Sequence, residues 1–319
     1  MTTESPTPSS QTPASEAPRG EALLSRIFLG PSGLRAGWSL LLYLGFWLLL
    51  EYAFGAVVQL AGGFRGNPKS PESVVLDELL SFLSSYAAAV LMARLERRRV
   101  GVYGLPLGQA FGRLFWLGMV LGLGEVSLLV GLIAASGGYS FGTLVVHGAR
   151  MFDWAALWAV GFVLVGLSEE FQFRGYSQYA LTRGIGFWPA ALCLSLAFGA
   201  AHLGNPGEGI FGAANVAVTG LVFAFALRRS GNLWLGVGWH ASFDFGETFL
   251  FSVPNSGFVF DQHLSSAALH GKTWLTGGTV GPEGSVFSFL TLGISALLIH
   301  YLFPANREAQ EAGVNARPG

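Results

Sequence analysis

Residues 154–181 read WAALWAVGFVLVGLSEEFQFRGYSQYAL, an apolar run that turns polar in its second half. The run is long enough to cross a bilayer, which requires about 20 predominantly apolar residues in a helix. Its polar half contains Glu169, Glu170 and Arg174. A charge at the centre of a membrane helix costs on the order of 2.5–3.5 kcal/mol, and charges kept there usually mark functional sites. This stretch therefore predicts a membrane helix that carries a buried polar site.

The whole chain has the composition of a membrane protein. Of its 319 residues, 51% are hydrophobic and only 12% are charged, whereas soluble domains have about 25% charged residues. Glycine is abundant, with 45 residues, as in helices that pack closely within a bilayer. We therefore predict an all-α polytopic membrane helix bundle of about eight transmembrane helices. Besides 154–181, the predicted segments are 37–61, 74–94, 113–136, 187–204, 209–228, 231–252 and 284–304.

Charge and cysteine content exclude several classes of function. The net charge of −1 gives no electrostatic case for a nucleic acid partner. Cys193 is the only cysteine, so disulfide frameworks and cysteine-based metal sites are excluded.

The distribution of basic residues predicts the orientation of the bundle. Cytoplasmic loops of membrane proteins carry an excess of Lys and Arg, which places both termini in the cytoplasm. The outward loops then hold Arg65, Lys69, Arg150 and Lys272, and the long outward loop 253–283 is expected to cover the site. The predicted regions are a disordered cytoplasmic tail at 1–25, N-terminal transmembrane helices at 26–150, a core with the site at 151–305, and a C-terminal cytoplasmic tail at 306–319. The clearest cytoplasmic cluster is Arg94, Arg97, Arg98, Arg99 and Arg113.

The polar residues of three segments occur at helical spacing. Glu170 and Arg174 are four residues apart, so they share a helix face and can pair. Glu169 is rotated by about 100° from Glu170, which leaves its carboxylate available for chemistry. The same spacing relates Phe198 to His202 and His240 to Asp244.

Depth in the membrane supports one common site. At about 1.5 Å per residue, Glu169, His202 and Asp244 each lie about 20 Å from the cytoplasmic end of their segments. Polar residues scattered for structural reasons have no cause to align at one height.

Three motifs in this order resemble the CPBP family of intramembrane proteases, which includes CAAX prenyl endopeptidases and bacterial relatives linked to bacteriocin self-immunity ("Abi" family). The resemblance covers about residues 150–300. It implies about eight helices, a conical cavity that opens toward the cytosol, and a bacterial plasma membrane location. The motifs are EEFQFRG (Glu169 to Gly175), FGAAH (Phe198 to His202) and HASFD (His240 to Asp244).

The resemblance implies a role for each motif residue. Glu169 is the general base that activates a water, and His202 assists it. His240 and Asp244 stabilise the oxyanion of the tetrahedral intermediate. The prenyl endopeptidases usually have Asn at the position of Asp244, and an ionised Asp cannot donate a hydrogen bond. Asp244 must therefore be protonated, bind a metal, or orient His240. The supporting residues are Glu170, Arg174 and Phe198.

Two mechanisms and three functions stay open at this point. Glu169, His202 and His240 could hold zinc, which would acidify a water, but we prefer a metal-free glutamate mechanism because the HExxH signature is missing. The preferred function is endopeptidase activity on a membrane protein or peptide, with CAAX-type processing as the best-known case. The alternatives are a non-enzymatic scaffold or bacteriocin-immunity protein of the same fold, and a proton-coupled transporter.

Other acidic residues receive structural interpretations. We expect Asp77 and Glu78 at the outer interface of the membrane and Glu247 in a solvated position. Glu51 and Glu125 lie in apolar runs, and their roles stay undecided. For Glu125, lining the cavity and pairing with an arginine are two open alternatives.

Overall fold

The computed structural model describes residues 27–30, 33–63 and 66–304. The predicted tails at 1–25 and 306–319 lie outside the described residues, as does Arg65. The described residues are mostly helical, and they include two short antiparallel ladders, which pair β1 with β2 and β3 with β4. Their strands are β1 Leu29–Gly30, β2 Gly33–Leu34, β3 Tyr139–Ser140 and β4 Ala268–Leu269.

Each of the eight predicted segments coincides with a helical segment, which confirms the all-α membrane bundle. Five of these helical segments are long and apolar enough to cross a membrane, and two more are shorter apolar helices. The helices are α1 Ala36–Leu60, α2 Pro71–Leu95, α3 Arg113–Ala135, α4 Ala149–Glu170, α5 Ser177–Ile185, α6 Phe187–His202, α7 Ile210–Ser230, α8 Trp234–Phe245, the short α9 Thr273–Thr276, and α10 Val286–Leu302.

Helix α8 lies at the centre of the bundle because glycines let it approach its neighbours closely. A Cβ added at Gly118 or Gly122 of α3 would lie 2.2 or 2.1 Å from a backbone oxygen of α8. From the other side, a Cβ at Gly238 would lie 2.1 Å from the Phe115 carbonyl oxygen. Small residues at such contacts allow helix backbones to touch in membranes. The contact between α3 and α8 therefore requires glycine at these positions.

Two helices change geometry beside the site. Helix α4 continues into a π-helical turn, Phe171–Tyr176, and α8 continues into a second π turn, Gly246–Leu250. The first turn contains a break at Gly175, where ψ is −115°. Such π segments inside helices are often found at functional sites. Here they directly follow Glu170 and closely follow Asp244.

The two ends of the bundle are built differently. One end is formed by residues 96–112 and 231–233, and we call it the arginine-rich end. There the Leu233 amide donates to the Gly104 carbonyl at 2.8 Å, and Asn232 donates to Gln109 at 2.6 Å. These bonds tie the loop between α2 and α3 to the turn before α8.

The opposite end, which we call the loop end, is formed by residues 66–70, 136–148, 203–209 and 251–285. The Asp261 amide donates to the Lys69 carbonyl at 3.0 Å, and the Ser266 amide donates to the Thr143 carbonyl at 2.8 Å. The long segment 251–285 therefore folds back over the other loops at this end.

Candidate active site

A buried chain of polar contacts joins α4 to α8. Arg174 Nη1 lies 3.2 Å from Glu170 Oε1, and both side chains are at most 2% exposed. The same Oε1 accepts a hydrogen bond from His240 Nδ1 at 3.1 Å. The Glu170–Arg174 pairing predicted from the spacing is therefore present. Because Glu170 holds Nδ1, the other ring nitrogen of His240, Nε2, faces the remaining acids.

Glu169 and Asp244 meet at this Nε2 atom. Glu169 Oε2 lies 3.7 Å from it and Asp244 Oδ2 lies 3.6 Å from it. These separations are too long for direct hydrogen bonds. The Glu169 side chain is 27% exposed, against 1% for Glu170. Adjacent glutamates thus have different environments, as the helical rotation predicted.

His202 is oriented by its own helix. Its Nδ1 donates to the Phe198 carbonyl at 2.9 Å, because a carbonyl oxygen can only accept. In the neutral ring this leaves Nε2 as an acceptor. The centre of the Phe198 ring lies 4.7 Å from the centre of the His202 ring. The guanidinium carbon of Arg174 lies 4.3 Å from the centre of the same Phe198 ring. Phe198 is therefore a packing residue that joins His202 to the buried ion pair.

A large cavity of about 530 Å³ opens beside these groups. Glu169, His202, His240 and Asp244 all line it. The predicted site residues of three helices are thus brought together. The segment 251–285 also contributes to the cavity, as expected for a loop that covers the site, through Asn255, Ser256, Phe258 and Phe260.

The chemistry and helix order at this cavity agree with a known family. Residues 151–246 match the family model of the type II CAAX prenyl endopeptidases, Rce1-like. These residues form an Rce1-like domain. The Rce1-like domain begins in α4, ends at the start of the second π turn, and contains all three motifs. It supports a membrane protease of the CAAX endopeptidase family. No curated protein and no solved structure matches the chain.

A small cavity of about 70 Å³ lies behind the site of the Rce1-like domain. His202, His240 and Asp244 line both cavities, which therefore adjoin. Glu247 lines the small cavity and is 1% exposed. The expectation that Glu247 is solvated is therefore wrong. The π turn after α8 keeps this side chain inside the bundle.

Sequence reasoning missed three acidic residues near the site. Asp77 and Glu78 line the large cavity together with Glu169, although their positions in α2 suggested only an interface location. Glu283 lines the small cavity and accepts a hydrogen bond from the Ser256 amide. Its neighbours GPEG gave no periodic signal, so only the fold of segment 251–285 reveals it.

Glu125 lines the small cavity but is held by three donors. It accepts hydrogen bonds from Trp239 at 2.8 Å, Ser295 at 2.9 Å and Thr291 at 3.3 Å. It lines the small cavity and is not among the residues that line the large cavity. Its described hydrogen-bond partners include no arginine. Glu125 therefore joins α3 to α8 and α10.

The arrangement does not fit a metal ion held by Glu169, His202 and His240. Zinc requires three protein ligands directed at one point. Within residues 27–30, 33–63 and 66–304, no three His, Cys, Asp or Glu side chains are grouped to hold one ion. Both ring nitrogens of His240 already face carboxylates.

Proposed function

We propose that the protein hydrolyses a peptide bond of a membrane protein or membrane-bound peptide, with a water activated by Glu169. The observation that carries this proposal is the contrast between the two adjacent glutamates. Glu170 is locked between Arg174 and His240, whereas Glu169 faces the large cavity beside the same histidine. A general base needs access to water and a positioned partner.

The reaction can be written with these groups alone. Glu169 accepts a proton from a water, whose oxygen bonds to the carbonyl carbon of the scissile peptide bond. The carbon–nitrogen bond then breaks, and the proton passes from Glu169 to the leaving amine. His202 assists as a second acceptor, since its Nδ1 is already engaged by Phe198.

The oxyanion is stabilised by His240 in its protonated form. Glu170 holds Nδ1, so Nε2–H is the donor that remains. Asp244 lies 3.6 Å from that nitrogen, which supports the interpretation that it orients His240. Arg174 and Glu170 are positioning residues, since they act through His240.

The proposed setting is a bacterial plasma membrane with both termini in the cytoplasm. CAAX-type processing, a cofactor-free mechanism and the absence of a nucleic acid partner remain predictions. The substrate is expected among membrane proteins, because the reacting groups lie inside a helix bundle with apolar outer faces.

The test compares membranes that express the wild-type protein, Glu169→Gln or Glu72→Gln at matched levels. Glu72 lies in the first turn of α2 and is exposed, so its substitution controls for loss of one carboxylate. Profiling of protein termini by mass spectrometry should find new ends with wild type and Glu72→Gln only. The same ends in Glu169→Gln membranes would exclude Glu169 as the base. The absence of new ends in all three would contradict proteolysis.

A further inference from the structure

The large cavity reaches the loop end of the bundle. Its walls include Pro68, Asn205 and Ser256, which belong to three different loops at that end. The lining residues of α2, such as Val74, come from its first turns, next to residues 66–70. The lining part of α6 is its last turn, which leads to residues 203–209. None of the lining residues belongs to residues 96–112 or 231–233.

Aromatic packing closes the arginine-rich end. Tyr43, Tyr103 and Tyr176 are each at most 1% exposed. The Tyr176 ring lies 4.7 Å from the Tyr43 ring and 4.8 Å from the Tyr103 ring. Below them, Glu96 accepts hydrogen bonds from Tyr176 at 2.8 Å and from Arg183 at 2.9 Å. This plug fills the bundle at the arginine-rich end.

The positive charges of the described residues are concentrated at the plugged end. Because cytoplasmic loops carry the excess of Lys and Arg, the plugged end faces the cytoplasm. The cavity then faces the opposite side, although the family resemblance implied a cavity that opens toward the cytosol. The loop end holds Lys69, Arg150 and Lys272, and the arginine-rich end holds Arg94, Arg97, Arg98, Arg99, Arg113, Arg183, Arg228 and Arg229.

The cavity walls indicate the chemistry of the substrate. One wall carries the carboxylates of Asp77, Glu78 and Glu169. The lining also includes aromatic rings of segment 251–285, with Phe258 and Phe260 only 5.9 Å apart. Four acidic side chains line the cavity against one protonated histidine, and a cleft with an excess of one charge attracts the opposite charge. The walls therefore suit a segment that contains basic and apolar side chains.

We propose that the site takes a peptide segment from the non-cytoplasmic side of the membrane, with a basic residue near the scissile bond. This inference rests on the proposed proteolysis and names its substrate class. It places the substrate on the side away from a cytosolic prenylated C-terminus, so this inference and the prediction of CAAX-type processing exclude each other, and the position of the cuts decides between them.

Labelling of single cysteines tests from which side of the membrane the cavity is reached, and it requires no measurement of proteolysis. The native Cys193, which is exposed, is first replaced by Ser. Gly204→Cys then lies in the loop beside the cavity, and Gly108→Cys lies in the loop at the arginine-rich end. Both glycines are exposed, and an added Cβ would meet one atom at 3.7 Å at Gly204 and nothing within 4 Å at Gly108. The two variants are therefore matched.

A membrane-impermeant maleimide on intact cells should label Gly204→Cys at least tenfold more than Gly108→Cys, with equal labelling after permeabilisation. The reverse pattern, or equal labelling of intact cells, would overturn the proposed access side. This readout does not depend on proteolysis, so a failure of the proposed access side is distinguished from a failure of the proposed proteolysis.

The termini found only with the wild-type protein give a second readout. They should map to non-cytoplasmic segments of their parent proteins and be enriched in Lys or Arg near the cut. Cuts in cytoplasmic segments would overturn the access side while leaving proteolysis intact. Non-cytoplasmic cuts without basic enrichment would overturn the charge preference. In addition, labelling of Asn205→Cys from outside should stop cleavage, and unchanged cleavage would contradict entry past this residue.

Discussion

Both cavities are lined by acidic residues, but these residues differ in their exposure and in their hydrogen-bond partners. In the large cavity, Glu169 is partly exposed and faces one histidine across 3.7 Å. In the small cavity, Glu125 is held by three donors, and Glu247 and Glu283 are buried together. With its three donors, Glu125 stabilises the helix packing, whereas a partly exposed acid beside a positioned histidine can exchange protons with a substrate. The difference teaches that burial by itself does not identify the reacting group.

The largest expected effect separates Glu169 from Glu247. Glu169→Gln should lower the cleavage rate by about 10²–10⁴-fold, the usual contribution of a general base. Glu247→Gln should lower it by less than about tenfold, because Glu247 lines only the small cavity. The measurement is the rate of appearance of the new termini at matched expression. Equal losses would show that both cavities belong to one catalytic unit.

Breaking the buried ion pair should have the next largest effect. Arg174→Met leaves the Glu170 carboxylate buried without its partner, which should cost about 3–5 kcal/mol of unfolding free energy. Arg183→Met breaks a more exposed pair, with side-chain exposures of 18% and 11%, and should cost less. Thermal unfolding in detergent compares the two variants. A smaller loss for Arg174→Met would contradict the central role of the buried pair.

Glu125 and Glu51 should differ in the same assay. Glu125→Leu leaves the indole N–H of Trp239 unpaired and should cost about 1–3 kcal/mol. Glu51 Oε2 is buried with no hydrogen-bond partner in the part of the chain that the structure describes. Glu51→Leu should therefore be neutral or stabilising. A marked loss from Glu51→Leu would reveal a role for Glu51 that the described contacts do not contain.

The smallest expected effect concerns pH. Burial raises the pKa of Glu283 above its ordinary value of 4.5, so the folded protein binds this proton more tightly than the unfolded chain. Stability should therefore fall as the pH rises above that ordinary value. Glu283→Gln keeps an acceptor for the Ser256 amide and removes the ionisation. The gain in melting temperature of the variant should increase from pH 4 to pH 8, and a pH-independent gain would exclude this cause.

Local patterns in the sequence predicted the helices and the pairs within each helix. The Glu170–Arg174 pair and the proximity of His240 to Asp244 follow from the spacing of four residues, because a helix places such residues on one face. The different exposure of Glu169 and Glu170 follows from the same geometry. The roles assigned to the motif residues remain predictions.

Local sequence patterns did not predict the contacts between segments that are far apart in the chain. Glu247 was expected in solvent because it lies one turn beyond Asp244, yet the π turn and segment 251–285 bury it. Glu283 joins it from a loop with no helical period.

The sequence by itself determined that this chain is a membrane helix bundle with polar groups at one height. Apolar run length and helical periodicity are local properties, so they can be read without the fold. Only the tertiary structure decided which carboxylate faces the large cavity and which end of the bundle is plugged. Those outcomes depend on how closely helices approach, which Gly118, Gly122 and Gly238 control, and on where a long loop returns. These close approaches depend on how all the helices pack together, so no short stretch of sequence predicts them.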